Sequence, residues 1–213
     1  KGMKEINLQP CDIDAAFFTH DHADHYRGLK FLSTKKCYAL EKTLPSLCCV
    51  INLFEPFVIK DIKITPLLTS HDATNPCGYM LEDGNERLVY ITDTGVFKDE
   101  NLDYCKNPDY LVIESNHDIA MLMKTNRPQC LKDRIMSEVG HLCNEDSAYA
   151  TLEIIGPKTK EIYLAHLSEE ANTPELALKA YREIFSHHNV DLDAIKISCL
   201  NQWISTTGGR YEN

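Results

Sequence analysis

Thr19-His20-Asp21-His22-Ala23-Asp24-His25 puts three imidazoles and two carboxylates into seven residues, directly behind the apolar run Ile13-Asp14-Ala15-Ala16-Phe17-Phe18. A strand ending this way has little packing reason to exist, because several polar groups would need partners at the edge of a core. In an extended segment, residues two apart share a side, so His20, His22 and Asp24 are expected to converge on one point. Gly28 and the apolar positions Tyr26, Leu29, Phe31 and Leu32 predict a turn into helix, which carries His25 back toward a neighbouring point. Imidazole nitrogen and carboxylate oxygen are the donors that Zn²⁺ and similar divalent ions accept. Five such side chains feeding two adjacent points imply two ions.

Outward from this stretch, the composition narrows the setting. The 213 residues suit one domain (1–213) with a substantial core. A 43% hydrophobic and 25% charged content is that of an ordinary globular chain. No apolar run nears the ~20 residues of a membrane helix, and no signal-peptide pattern opens the chain. Nine scattered cysteines, an odd number without a C-x-x-C, predict reduced thiols and a cytoplasmic protein. The net charge of −10 argues against a broadly basic nucleic-acid surface. Two bound divalent ions would instead create a local positive spot able to hold an anionic substrate.

The rest of the chain reads as layered sheet and helix, with no repeat or low-complexity tract. Strands are expected at Lys36–Leu40, 57–59, 62–67, Cys77–Glu82, 87–92, Tyr110–Glu114, Glu161–Ala165 and 194–199. Asp83-Gly84-Asn85-Glu86 is a hairpin signature between two of them. Helices are expected at 41–49, from an N-cap at Asn144 to residue 155, and from Thr173-Pro174 to about His187. Trp203, the sole tryptophan, reads as a packing residue. Three further strand ends carry ligand-type residues: His71 after Thr65-Pro66-Leu67-Leu68, Asp93 after Leu88-Val89-Tyr90-Ile91, and His166 after Ile162-Tyr163-Leu164-Ala165. Asp93, with two oxygens, is the natural residue to face both ions. Asp72 is placed to orient His71 as an acceptor.

The ordered set T-H-D-H-A-D-H, His71, Asp93 and His166 resembles the metallo-β-lactamase fold of dinuclear hydrolases. The stretches Leu111–Asp118, Arg134–Asp146 and His166–Glu175 resemble, more narrowly, its YycJ/WalJ group, over nearly the whole chain. That resemblance implies an α/β (α+β) αββα sandwich and a 5′→3′ DNA exonuclease-like activity. It assigns His20, His22 and His71 to one ion, Asp24, His25 and His166 to the other, and Asp93 between them. A hydroxide held between two ions would be the nucleophile. His141 matches a glycine-histidine element that, in ribonuclease Z relatives, lies beside the scissile phosphate, so it is the expected catalytic partner of Asp93. Asn116, His117 and Asn144 are the candidate substrate contacts.

Three departures from the group stand out. Its first strands, before Asp12-Ile13-Asp14, have no counterpart here. Cys143 stands where the group usually has serine. The segment 94–165 is too short for the large inserted domain of the RNA-cleaving and DNA-repair members. The expectation is therefore a phosphodiesterase using two divalent ions, Zn before Mn or Fe, on single-stranded nucleic acid, its ends, or a small phosphodiester. The competing expectation keeps the ions and changes the substrate to a lactone, thioester or cyclic phosphodiester. A non-enzymatic scaffold ranks last, because such a protein needs no ligand set.

Overall fold

The computed structural model describes residues 2–32, 36–44, 48–192 and 194–201. The chain opens with one helical turn, α1 (Gly2–Glu5), and reaches β1 (Ala15–Phe17). A second single turn, α2 (Ala23–Tyr26), precedes β2 (Lys36–Leu40) and β3 (Cys49–Ile51). These three strands form a parallel sheet in the order β1-β2-β3. Next come β4 (Phe57–Ile59), β5 (Ile62–Leu68), β6 (Cys77–Glu82) and β7 (Arg87–Ile91), each antiparallel to the one before. The short helix α3 (Leu102–Cys105) leads to β8 (Tyr110–Glu114), and then α4 (Ile119–Lys124), α5 (Gln129–Ile135) and α6 (Asn144–Ile154) follow. β9 (Glu161–Ala165), α7 (Pro174–His187) and β10 (Lys196–Cys199) complete a seven-stranded sheet ordered β10-β9-β8-β7-β6-β5-β4.

Period-two burial explains the layering. On one face of the large sheet, Val89, Leu111 and Ile162 stand in register, as do Ile91, Ile113 and Leu164. These six are buried against Ala148, Ile154, Ala177, Tyr181 and Phe185 of α6 and α7. Each such side chain removed from water contributes about 1.5–3 kcal/mol. The opposite face, through Ile64, Cys77 and Tyr79, packs on Leu40 and Ile51 of the small sheet. The outer face of the small sheet buries Cys37 and Ala39 under Phe18, Tyr26 and Leu29. Helix, sheet, sheet and helical turns therefore stack in the four-layer αββα arrangement.

Most predicted strands stand where they were expected, and Asp83 folds the hairpin by accepting from the Asn85 and Glu86 amides. The helix expected over 41–49 is a correction. Glu41 to Thr43 form a turn with Lys42 at φ 65°, and Cys49 already opens β3. Residues 45–47 and Trp203 lie outside the described residues. The N-cap of α6 is Cys143, whose Sγ accepts from the Asp146 amide at 3.3 Å; Asn144 is the first helical residue. The position where serine was expected is thus a capping position, which needs only an acceptor. Thr173 caps α7 as expected, with Pro174 at its first position. No helix of the described residues is long and apolar enough to cross a membrane.

Candidate metal centre and cleft

Topology alone brings distant candidate donor residues to one edge. β5 and β7 are both antiparallel to β6, so they point the same way, and β8 and β9 run parallel to β7. The residues that follow all four strands, at 71, 93, 115–117 and 166, therefore emerge on the same side. The small sheet is tied to that edge directly. The Thr19 carbonyl accepts from the Cys77 amide at 2.8 Å, and the Phe18 carbonyl from the Tyr79 hydroxyl at 2.6 Å. Asp21, inside the histidine stretch, accepts from the Thr74 amide at 3.0 Å and pins the first loop to the His71 loop. Asp93 and His166 both sit in the left-handed region, at φ 56° and 58°. Asp and His enter that region more readily than most residues, and non-glycine residues held there cluster at functional sites.

His20, His22 and His71 form one group whose ligand atoms all lie within 4.8 Å of one another; His20, His25 and Asp93 form another. Asp93 Oδ1 is 3.5 Å from His166 Nε2 and 3.8 Å from His25 Nε2. This carboxylate therefore stands between the two halves of the set. His20 Nε2 and Asp93 Oδ2 are buried without a hydrogen-bond partner. Burial, reinforced by the neighbouring His25, holds the His20 imidazole down at about 4. It is therefore neutral near pH 7 and keeps the lone pair a cation needs. One orphaned nitrogen on a neutral imidazole beside an orphaned carboxylate oxygen fits a divalent ion. Asp24 is the exception. α2 begins immediately after His22, so the extended alternation stops there. The Asp24 side chain is 69% exposed and lies 3.8 Å from His25 Nε2. His20 and His22 do converge as predicted, with ring centroids 4.7 Å apart, but Asp24 does not join them.

A residue the sequence reading passed over organises the other side. Glu114, wholly buried at the end of β8, accepts from Nδ1 of His141 at 2.8 Å and of His166 at 2.6 Å. Its second oxygen accepts from the Thr94 amide at 2.9 Å. Burial alone would raise its pKa, but hydrogen bonds from the two imidazoles lower it to about 2. Burial alone would likewise lower His166, yet the Glu114 hydrogen bond and the Asp93 charge raise it to about 9. With its oxygens taken up this way, Glu114 is a positioning carboxylate that leaves Nε2 of each ring for the cleft. The signal was visible as a carboxylate closing the apolar run Leu111-Val112-Ile113. His71 is oriented through Nδ1 by the Gly140 carbonyl at 3.0 Å rather than by Asp72. Asp72 is instead ion-paired to Arg134.

These groups line a cleft of about 470 Å³, with Asn116, His141, Arg127, Arg134 and Leu131 among its walls. The His141 ring lies 4.9 Å from that of His71 and 5.1 Å from that of His166. Asn116 lines the cleft and donates to the His166 carbonyl at 2.8 Å. The other two candidate substrate contacts lie elsewhere. Asn144 is buried in a network with Ser115 and Asn172, which ties β8 to the starts of α6 and α7. His117 is buried with neither ring nitrogen hydrogen-bonded, and burial lowers it to about 4. Arg127, Leu131 and Arg134 come from the stretch around α5, whose seven residues are too few for a periodic signal.

Two facing sheets with a histidine-lined cleft at their shared edge define a metal-dependent hydrolase of the metallo-β-lactamase fold. The description Beta-lactamase superfamily domain matches residues 3–167, and the chain belongs to that family, standing with its YycJ/WalJ members. It is 37% identical over 196 residues to exodeoxyribonuclease YycJ of Bacillus anthracis, spanning 85% of this chain and 74% of that one. It is 38% identical over 191 residues to exodeoxyribonuclease WalJ of Streptococcus pneumoniae serotype 2, spanning 82% and 71%. Among solved structures, the metallo-β-lactamase fold protein YhfI of Bacillus subtilis superimposes with a TM-score of 0.65 at 18% identity, covering 90% of this chain and 76% of its own. Zn²⁺-bound PqqB of Methylobacterium extorquens gives 0.60 at 18% identity, covering 88% and 69%. At such identities the structural likeness speaks for the fold.

Proposed function

We propose that this hydrolase is a two-metal phosphodiesterase, an exonuclease on DNA strands or ends that acts in the cytoplasm. The observation that carries the reading is Glu114 holding His141 and His166 together beside the His20-His22-His71 group, with the His141 ring 4.9 Å from that of His71. His20, His22 and His71 would hold one divalent ion, and His25, His166 and Asp24 the other, with Asp93 facing both; Zn is the first expectation, Mn or Fe the next. When bound, such ions polarise a phosphoryl oxygen and lower the pKa of a water molecule. Glu114 and the Gly140 carbonyl keep His141, His166 and His71 in one orientation, so little reorganisation is required at the moment of reaction. His141, its Nδ1 committed to Glu114, has Nε2 left to give a proton to the leaving oxygen. Asn116, braced on the His166 carbonyl, borders the space where substrate lies.

The exonuclease part of the reading is supported by the names of the two relatives, YycJ and WalJ. Purified protein supplied with Zn²⁺ or Mn²⁺ should release nucleotides from the 5′ end of a labelled oligonucleotide. His22→Ala and Asp93→Ala should each lower that rate at least about 10³-fold. Activity surviving both changes would remove the reading. The acidic chain, at −10, favours a second reading with a small substrate. Side-by-side rates on bis-p-nitrophenyl phosphate, lactones and thioesters separate the two.

A further inference from the structure

The cleft carries two arginines to which the metal chemistry gives no task. Arg127 and Arg134 are the only arginine or lysine side chains among its described lining residues, which also include the carboxylates Asp24, Asp72, Asp93, Glu169 and Glu170. Both stand on one wall. Arg127 lies just before α5 and Arg134 in its last turn. That wall is anchored: Ile135 and Leu131 of α5 pack on Leu122 and Ala171, and the Ile135 carbonyl accepts from the His141 amide at 2.9 Å. The position of Arg134 is therefore locked to that of His141.

Each guanidinium is matched to one carboxylate across the cleft. Arg127 Nε donates to Glu170 at 2.8 Å, and Glu170 is 64% exposed. Arg134 donates through Nε and Nη2 to Asp72 Oδ2 while remaining 57% exposed. The other Asp72 oxygen is 3.5 Å from Nε2 of His71, the nitrogen left over by its bond to Gly140. One guanidinium thus stands a single carboxylate away from the histidine cluster, and the second is seven residues earlier in the same stretch, paired to Glu170. Exposed ion pairs of this kind are weak. A phosphate can take the same guanidinium face in two-pronged fashion with more charge.

Resting on the phosphodiesterase reading, we infer that Arg127 and Arg134 form a subsite for backbone phosphates flanking the scissile bond, with Glu170 and Asp72 holding the guanidinia until a strand displaces them. The ligand class is a polynucleotide strand, not a single phosphodiester. Arg134 takes the phosphate next to the metal site and Arg127 one farther out. This wall gives an otherwise acidic protein its hold on an anionic polymer.

The test pairs protein and substrate changes. Single-stranded oligonucleotides carry one neutral methylphosphonate linkage, moved stepwise away from the scissile bond, and are cleaved by wild type, Arg127→Gln and Arg134→Gln. In wild type, the neutral linkage at a gripped position should lower kcat/KM about tenfold, mainly through KM. Each variant should lose a similar factor on the all-phosphate strand and be insensitive to the neutral linkage at one position. Losses that multiply at every position, in both variants, would overturn the subsite and leave the arginines as wall braces. Arg134→Lys, with melting temperature and metal content as controls, separates loss of the grip from loss of fold, and Arg127→Gln carries the test if Arg134→Gln does not fold. A wild type that cleaves no oligonucleotide but hydrolyses lactones or thioesters would remove the phosphodiesterase reading itself.

Discussion

Glu114 shows how much of this site rests on a residue that need not touch substrate. Its carboxylate is shared by His141 and His166, and no water reaches it to replace a lost partner. Glu114→Gln keeps the shape but removes the charge and puts an NH2 donor where one oxygen stood, against either the oxygen position both imidazoles share or the one the Thr94 amide uses. Activity and metal affinity should fall about 10–100-fold, as they do when such outer partners are removed; steady-state rates and elemental analysis of the variant check it. His117 offers a prediction of a different kind. Its folded pKa, about 4, lies below the 6.5 of the unfolded chain, so the unfolded state binds more protons between those values. Stability is fully present above about pH 6.5 and is lost as pH falls through 4. His117→Phe should flatten this acid limb by up to about 3 kcal/mol, since each unit is 1.36 kcal/mol. Urea melts of both proteins at pH 7 and pH 4 measure the difference, and parallel curves would contradict it.

At the scale of elements, the loop from α5 to α6 sets the chemistry by close backbone approach. A Cβ on Gly140 would stand 2.2 Å from the Ile135 carbonyl oxygen and 2.3 Å from that of Arg134, contacts that only a shift of the loop relieves. The same loop supplies the carbonyl that orients His71 and the ring of His141. Gly140→Ala should therefore lower kcat more than tenfold, because a displacement of about 1 Å in a catalytic group costs about 10²-fold. Its melting temperature should drop only a few degrees, since the large core under α6 and α7 is not involved. Unchanged kcat would show that the loop does not position the imidazoles. The strands were legible for a plain reason. β7, β8 and β9 are short, near-continuous apolar runs rich in Val, Ile, Leu and Tyr, the pattern of strands covered on both faces. α3, α4 and α5, at four, six and seven residues, are shorter than the window in which helical periodicity shows. Such segments are helical because tertiary packing holds them.

At the scale of the whole molecule, the site has gathered imidazoles and a carboxylate from loops far apart in the chain onto one edge. Among them, His20 Nε2 and Asp93 Oδ2 are buried with no hydrogen-bond partner. Metal binding to the folded chain but not to the unfolded one should therefore couple to stability. Chelation should lower the melting temperature by roughly 10 °C, given about 2–4 °C per kcal/mol for a chain of this size. Scanning calorimetry with and without a strong chelator, followed by Zn²⁺ add-back, tests this; an unchanged midpoint would argue against the coupling. The candidate donor side chains and their placement at strand ends were readable from residues 19–25, 71, 93 and 166, because metal-donor residue types are few and an apolar run that stops at one of them is conspicuous. Local alternation, burial and donor chemistry are properties of short stretches, and those the sequence determined by itself. Which partner orients each imidazole, that Glu114 serves two of them while Asp72 serves Arg134, and that Asn144 is buried in a brace, depended on strands meeting at one edge. Those pairings join residues tens of positions apart, and no local signal specifies them until the sheets have closed.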